Sequence, residues 1–411
     1  MFYKTALVTV ALALLASASP LVKERGTPIP IVKRGSLTRP NGTFDAEKAI
    51  AARLKLQSKH ARNLINLERN LGAERFKELY PDADLSKLQK RAGVSLKDQD
   101  DDLEWTGTIS IGTPAQSFTI DFDTSSADLW VGSSSCSTCR RHNTYNPSRS
   151  STSDSQRGTF EIEYQDGTSA SGPIYTDTVT VGGATVTGQY FSAVTNEAEQ
   201  LTEDPEDGLL GLGLTALSSM KKDPFFVTAV KQNAVQEGVF AFKLGQSGSE
   251  LYIGGTNSRL YTGSIEYHDV TTDKGYWQIG GASALLNGRT FASNLETIID
   301  SGTTLMAAEP SVVDQFYSSI RGSGYDEESG YYTFPCNSVP VVSFNWGGKT
   351  WTISGDDFNL GETRSGGCAG ALVAADLQMP NNVWLLGDTF MKNVYTAFSV
   401  DDNAVGFAAL A

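Results

Sequence analysis

Histidine is scarce in this sequence: His60, His142 and His268 are the three in 411 residues. None stands in the H-E-x-x-H pattern of a zinc peptidase, and none has the setting of a Ser–His–Asp hydrolase. No G-x-S-x-G nucleophile elbow occurs. Long apolar runs are also lacking. The longest, Ala6 to Leu15, is shorter than the about 20 residues a spanning helix needs. Gly211-x-Gly213-x-x-Ala216 resembles a dinucleotide fingerprint, but it lacks a βαβ frame and the acidic residue that should follow. Neither a metal nor a cofactor is expected.

Cysteine is sparse too. Cys136, Cys139, Cys336 and Cys368 all lie beyond residue 91. An even count behind an export signal implies disulfides. Sequence neighbours suggest Cys136–Cys139 and Cys336–Cys368 among three possible pairings. Cys136-x-x-Cys139 beside His142 has the look of a zinc corner, yet no second ligand pair follows at finger spacing.

Basic residues run short beyond residue 91. Residues 1–91 hold 17 Lys and Arg against 8 Asp and Glu, while the remaining 320 residues hold 16 against 39. A basic leader ahead of an acidic body predicts electrostatic docking of one on the other. The acidic body repels nucleic acid and anionic membranes, so neither is an expected partner. Within the leader, Lys4, the apolar run and Ala16-Ser17-Ala18 read as a signal peptide over residues 1–18. Dibasic pairs follow at Lys33-Arg34 and Lys90-Arg91, and cleavage is expected after Arg91. Residues 44–80 carry apolar residues at helical spacing (Ile50, Leu54, Leu56, Leu64, Leu67), predicting a helical leader.

After residue 104 the texture changes to short runs rich in Val, Ile, Thr, Phe and Tyr, parted by Gly, Ser, Asn and Asp. Thr108–Ile111, Ser117–Phe122, Phe160–Tyr164, Asp177–Val181 and Val341–Trp346 read as strands, and Phe225–Gln232 and Ser311–Ile320 as short helices. The class is all-β.

A duplication runs through this part. Phe122-Asp123-Thr124-Ser125-Ser126 returns as Ile299-Asp300-Ser301-Gly302-Thr303, 177 residues on. Leu209-Leu210-Gly211 and Leu385-Leu386-Gly387 follow at matched intervals, 88 and 87 residues after their aspartates. Two lobes are implied, each with an aspartate at a strand-to-turn junction and an apolar-Gly segment behind it. Two carboxylates meeting across such an interface cannot both ionise easily and share one proton. The pair then offers a base for water and an acid for a carbonyl oxygen. Thr124 and Ser301 are placed to bond across the interface, and Ser126 and Thr303 to orient the carboxylates.

These segments resemble the pepsin family of aspartic proteases, in its fungal secreted branch. That family is the standing example of a carboxylate pair holding one proton in common, and its motifs stand here in order over about residues 104–411. They are Phe122 to Val131, Asp207 to Gly213, Gly275 to Ile279, Ile298 to Leu305 and Trp384 to Asp388. The resemblance implies a bilobal fold with pseudo-two-fold related lobes and a central cleft, and an endopeptidase acting at acid pH through Asp123 and Asp300. A catalytically weak or inactive peptide-binding relative is the alternative. The expected division is a signal peptide (1–18), a propeptide (19–91), and lobes at 92–262 and 263–411. Tyr164 to Gly172 resembles the family's flap, with Tyr164 covering the cleft and reaching Trp130 and with Asp166 and Thr168 among its substrate-binding residues. Related fungal enzymes with an acidic residue at the Asp166 position accept Lys beside the cut, so Asp121 and Asp166 are expected to let the S1 pocket take Lys as well as large apolar residues. Ser125 departs from the family, which usually has Gly there. A basic propeptide residue, not identifiable from sequence, is expected to pair with the dyad in a monomeric zymogen that is secreted rather than vacuolar. The one N-glycosylation sequon, Asn41-Gly42-Thr43, falls in the propeptide.

Overall fold

The computed structural model describes residues 26–33, 36–85, 105–139, 141–163, 169–198, 205–245, 247–272 and 275–411. The expected signal peptide, Arg34, the Lys90-Arg91 pair and the flap residues Tyr164, Asp166 and Thr168 lie outside them.

The chain is mainly β, as its alternating runs predict. A nine-stranded sheet holds most of the first half and a seven-stranded sheet most of the second. A six-stranded sheet draws on both halves. In it Val239–Lys243 pairs with Tyr395–Ser399, and Ala404–Leu410 pairs with Tyr261–Asp269. Its middle strands are buried, and Phe240 stacks on Phe398 with ring centroids 4.9 Å apart. The short helices form where expected, at Phe225–Lys231 and Pro310–Ser318, the second opened by Pro310 in its first turn.

The leader is woven into this body. Thr27–Pro30 pairs antiparallel with Glu250–Ile253 and forms an edge of the six-stranded sheet, a position where Pro28 and Pro30 remove no needed donor. Helix α1 spans Ala46–Leu71 and α2 spans Ala73–Leu79. Asp45 caps α1 and is itself held by Arg39 at 3.0 Å, while Gly72 ends it at φ +87°. The apolar stripe predicted for the leader is only part of what α1 buries. Leu56, Leu64 and Leu67 are buried, but so are Ser58, Lys59, His60, Asn63 and Asn66, while Ile50 and Leu54 stay partly exposed.

Both predicted disulfide pairings, Cys136–Cys139 and Cys336–Cys368, are present.

Candidate functional site

Strand Gln116–Asp123 is buried at its last four residues because it runs between two partners. It lies antiparallel to Trp105–Ile111 and parallel to Gly208–Gly211, with Gly211 beside Asp123. In the second half, Arg289–Ile299 runs parallel to Val383–Leu386, with Leu386 beside Ile299, and Asp300 follows directly. The glycine of each apolar-Gly segment has the same cause. A Cβ on Gly211 would collide with the backbone of Ser126 and Ala127, and one on Gly387 with the carbonyls of Thr303 and Leu305. The glycines let these segments pass directly behind the aspartate turns. Leu212 N–H donates to Asp123 O at 2.8 Å, and Asp388 N–H to Thr303 O at 2.8 Å.

The two turns hold each other. Thr124 Oγ1 donates to Ile299 O at 3.0 Å and accepts from Ser301 N–H at 2.9 Å. Ser301 Oγ donates to Phe122 O at 2.7 Å and accepts from Thr124 N–H at 3.1 Å. Four bonds buried between the halves fix how the carboxylates approach. Asp123 and Asp300 are buried at 1% and 0% exposure, so their charges need partners.

Those partners come partly from the turns. Gly302 N–H donates to Asp300 Oδ1 at 2.9 Å, and Thr303 Oγ1 to Asp300 Oδ2 at 2.6 Å. The first turn differs from expectation. Ser126 Oγ is buried and meets no hydrogen-bond partner, and neither does Asp123 Oδ2. Ser125 supplies the hydroxyl instead: its N–H and Oγ donate to Asp123 Oδ1 at 2.9 and 3.0 Å. Standing one residue nearer the aspartate, it reaches the carboxylate within its own turn. Its φ is not in the left-handed region, so replacing glycine brings no backbone strain.

The remaining partner comes from α1. Lys59 Nζ lies 3.2 Å from Asp123 Oδ1 and 3.0 Å from Asp300 Oδ2, and donates to Gly302 O at 2.8 Å. Burial works against its charge, but the two carboxylates outweigh burial and raise its pKa. Burial would likewise raise Asp300, and the Lys59 ammonium, with His60, outweighs it and holds that carboxyl below its usual range. His60 Nε2 is 3.9 Å from Asp300 Oδ2, and its Nδ1 is hydrogen-bonded to the Tyr276 hydroxyl at 3.0 Å. Burial lowers the His60 pKa.

Lys59, Asn63, Asn66 and Asn70 share one face of α1, at i, i+4, i+7 and i+11. Asn63 Nδ2 donates to Ser125 O at 2.7 Å, Asn66 Nδ2 to Leu217 O at 3.0 Å and Asn70 Nδ2 to Ala216 O at 2.8 Å. Arg53 donates to Gly330 O at 2.7 Å. The leader thus adds amide and guanidinium donors on body carbonyls to the charge attraction expected of it. This polar stripe went unread in the sequence, although its helical spacing was visible there.

Asp121 is buried behind the turn, and its charge adds to that of the dyad on Lys59. Trp130 packs with Phe160 and Ile162. Together with Leu209 and Leu217 these residues wall a cleft between α1 and the first sheet. Asp121 does not line it.

Residues 104–410 match a family model described as eukaryotic aspartyl protease. The chain belongs to that family. An aspartic protease of Phaffia rhodozyma is 39% identical over 369 residues, covering 87% of this chain and 89% of that protein. Major aspartyl peptidase 1 of Cryptococcus neoformans is 36% identical over 356 residues, covering 78% and 72%. Pepsin A of Callithrix jacchus is 35% identical over 322 residues, covering 75% and 81%. The protein is accordingly an aspartic endopeptidase with a pepsin-like fold, and peptides are the substrates of its family. In this protease the aspartate of each duplicated motif reaches a common point, marked by the Lys59 ammonium.

Proposed function

We propose that the chain is the secreted zymogen of a monomeric endopeptidase that cuts proteins at acid pH through Asp123 and Asp300. The observation that carries this reading is the single ammonium, Lys59 Nζ, bonded to both carboxylates. Once it leaves, two buried carboxyl groups face one point and retain one proton between them. The ionised member takes a proton from water as the water oxygen bonds to the scissile carbonyl carbon. The protonated member gives its hydrogen to the carbonyl oxygen. Return of a proton to the amide nitrogen then releases the amine and the acid.

On this reading residues 19–91 are an intramolecular inhibitor and Lys59 is its blocking residue. Acidification weakens the block. Burial lowers the His60 pKa, so its contribution to docking is present above its ordinary value near 6.5 and is lost as pH falls below it. The Asp300 carboxyl is held low by docking, so its contribution is present above the ordinary carboxylate range and is lost at still lower pH. Cleavage after Arg91 would complete release; N-terminal sequencing of the activated enzyme tests it, and a start far from Ala92 refutes that boundary.

The apolar wall of Phe160, Ile162, Leu209 and Leu217 favours a large apolar residue before the cut. Acceptance of Lys there, with Asp121 and Asp166 as its counter-charges, belongs to the same proposal. Its support is the position of Asp121, buried two residues before Asp123 on the same strand. A peptide library at pH 5 tests it, and no Lys cleavage above background ends it. The main reading is tested by casein hydrolysis at acid pH, with loss on adding a peptidic transition-state analogue.

A further inference from the structure

The leader carries a feature that the docking of α1 does not use. Asn41-Gly42-Thr43 lies at the tip of a tight hairpin in which Thr38 pairs antiparallel with Phe44. Gly42 N–H donates to Arg39 O at 2.8 Å, closing a turn with Pro40 and Asn41 at its centre, and Arg39 N–H donates to Thr43 O at 2.8 Å. The base of the hairpin is clamped to the body. Thr38 Oγ1 donates to Leu360 O at 2.9 Å and Phe44 N–H to Glu362 O at 2.9 Å, and a Cβ on Gly361, at φ +108°, would collide with Gly42 O. Pro40, Asn41 and Gly42 nevertheless stay exposed. The Asn41 amide is oriented by its own turn: its Oδ1 accepts from Thr43 N–H at 3.1 Å and from Thr43 Oγ1 at 2.7 Å. A backbone N–H can only donate, so the amide oxygen takes that side and Nδ2 is left at the exposed tip.

We propose that Asn41 Nδ2 is an N-glycosylation site whose sugar belongs to the precursor alone. The inference rests on the secretory reading above. The sequon has Gly rather than Pro in its middle and Thr at its end. Asn146-Pro147-Ser148 is closed by its proline, so residues 92–411 hold no sequon. The donor is a lipid-linked oligosaccharide. The bond between its anomeric carbon and the diphosphate oxygen breaks, that carbon bonds to Nδ2, the amide gives up one proton, and the lipid diphosphate leaves. Transfer meets the chain before it folds, so the folded leader must then hold a bulky polar group at its surface. A sugar on Nδ2 extends from the tip into solvent and leaves both bonds to Oδ1, and the clamp on Leu360 and Glu362, in place. The precursor is thus a ligand for a mannose-reading lectin, and the active enzyme is not.

The test expresses the full chain in a eukaryotic secretory host. The secreted precursor, and the enzyme freed of its leader by acid or by a protease that cuts after Lys-Arg, are each passed over a mannose-binding lectin column with and without peptide N-glycosidase treatment. The expected result is glycosidase-sensitive retention of the precursor, with the sugar placed on Asn41 by peptide mass spectrometry. Asn41→Gln and Thr43→Ala abolish that retention, Thr43→Ser keeps it, and the freed enzyme shows none. A secreted precursor with an unmodified Asn41 overturns the proposal; this readout is taken on the parent chain and does not depend on the folding of a variant. Glycosidase-sensitive retention that survives Asn41→Gln, or that persists in the freed enzyme, overturns it too. If the parent chain never leaves the cells, the secretory reading fails instead, and the same chain behind the host's own signal peptide still tests Asn41.

Discussion

Asp123 and Asp300 reach the cleft on parallel strand pairs of matching register, each backed by a glycine that admits a second backbone behind the turn. Past that shared frame the turns diverge. The second turn steadies its carboxylate with Thr303, on Oδ2, while the first uses Ser125, on Oδ1, and leaves Ser126 without a partner. Behind the turns, Leu212 follows Gly211 where Asp388 follows Gly387. The residue after each glycine is buried, but one is apolar and the other a carboxyl. Duplication therefore preserves the groups that set backbone position and frees those that set charge.

Replacing either aspartate gives the largest effect. Asp123→Asn and Asp300→Asn should each cut peptide hydrolysis by about a thousandfold or more, measured on a fluorogenic peptide at acid pH, because each removes a proton-transfer group. A variant retaining activity would break the equivalence of the two halves. Next comes the cation that joins them. Lys59→Met leaves two buried carboxylates facing an apolar side chain, a change that costs about 3–5 kcal/mol when a buried pair is broken. The precursor should bind a transition-state analogue at pH 6 about a hundredfold more readily than the parent; equal binding would place the block elsewhere on α1.

The hydroxyls sharpen the contrast. Thr303→Val removes a charge-assisted bond and should lower kcat about tenfold. Ser126→Ala, at the matching position of the first turn, should change it less than twofold, about the noise of such series. Equal losses would show the two turns to be alike in solution.

The smallest effect concerns the positions behind the turns. Burial pushes the Asp388 carboxyl up to about 7, with Lys33 and Lys392 partly opposing it. Its cost is absent at pH below the ordinary carboxylate range and grows as pH rises toward 7. Asp388→Asn should therefore raise Tm by about 2–4 °C at pH 7.5 and leave it nearly unchanged at pH 4. A gain of the same size at both pH values would show that charge is not the reason.

Much of this was legible in the sequence. Matched spacing placed two aspartates on equivalent turns, and alternating apolar residues announced the strands. Thr124 and Ser301 were readable because short hydroxylated residues beside each aspartate can bond across an interface. Which of the adjacent serines Ser125 and Ser126 turns toward Asp123 is not legible, since spacing alone does not say which hydroxyl faces a carboxylate. Lys59 was one of 17 basic residues in the first 91 and carried no mark of its own until α1 was laid across the cleft.

The sequence by itself determined the mainly β class, the duplicated frame and the surplus of positive charge ahead of an acidic body, because each is a periodicity or a count carried by the chain. Only the tertiary structure decided which lysine meets both carboxylates, which serine steadies Asp123 and that the leader adds a strand to a sheet of the body. Those contacts join residues as far apart as Lys59 and Asp300, and partners at that separation are chosen by packing in three dimensions rather than by local pattern.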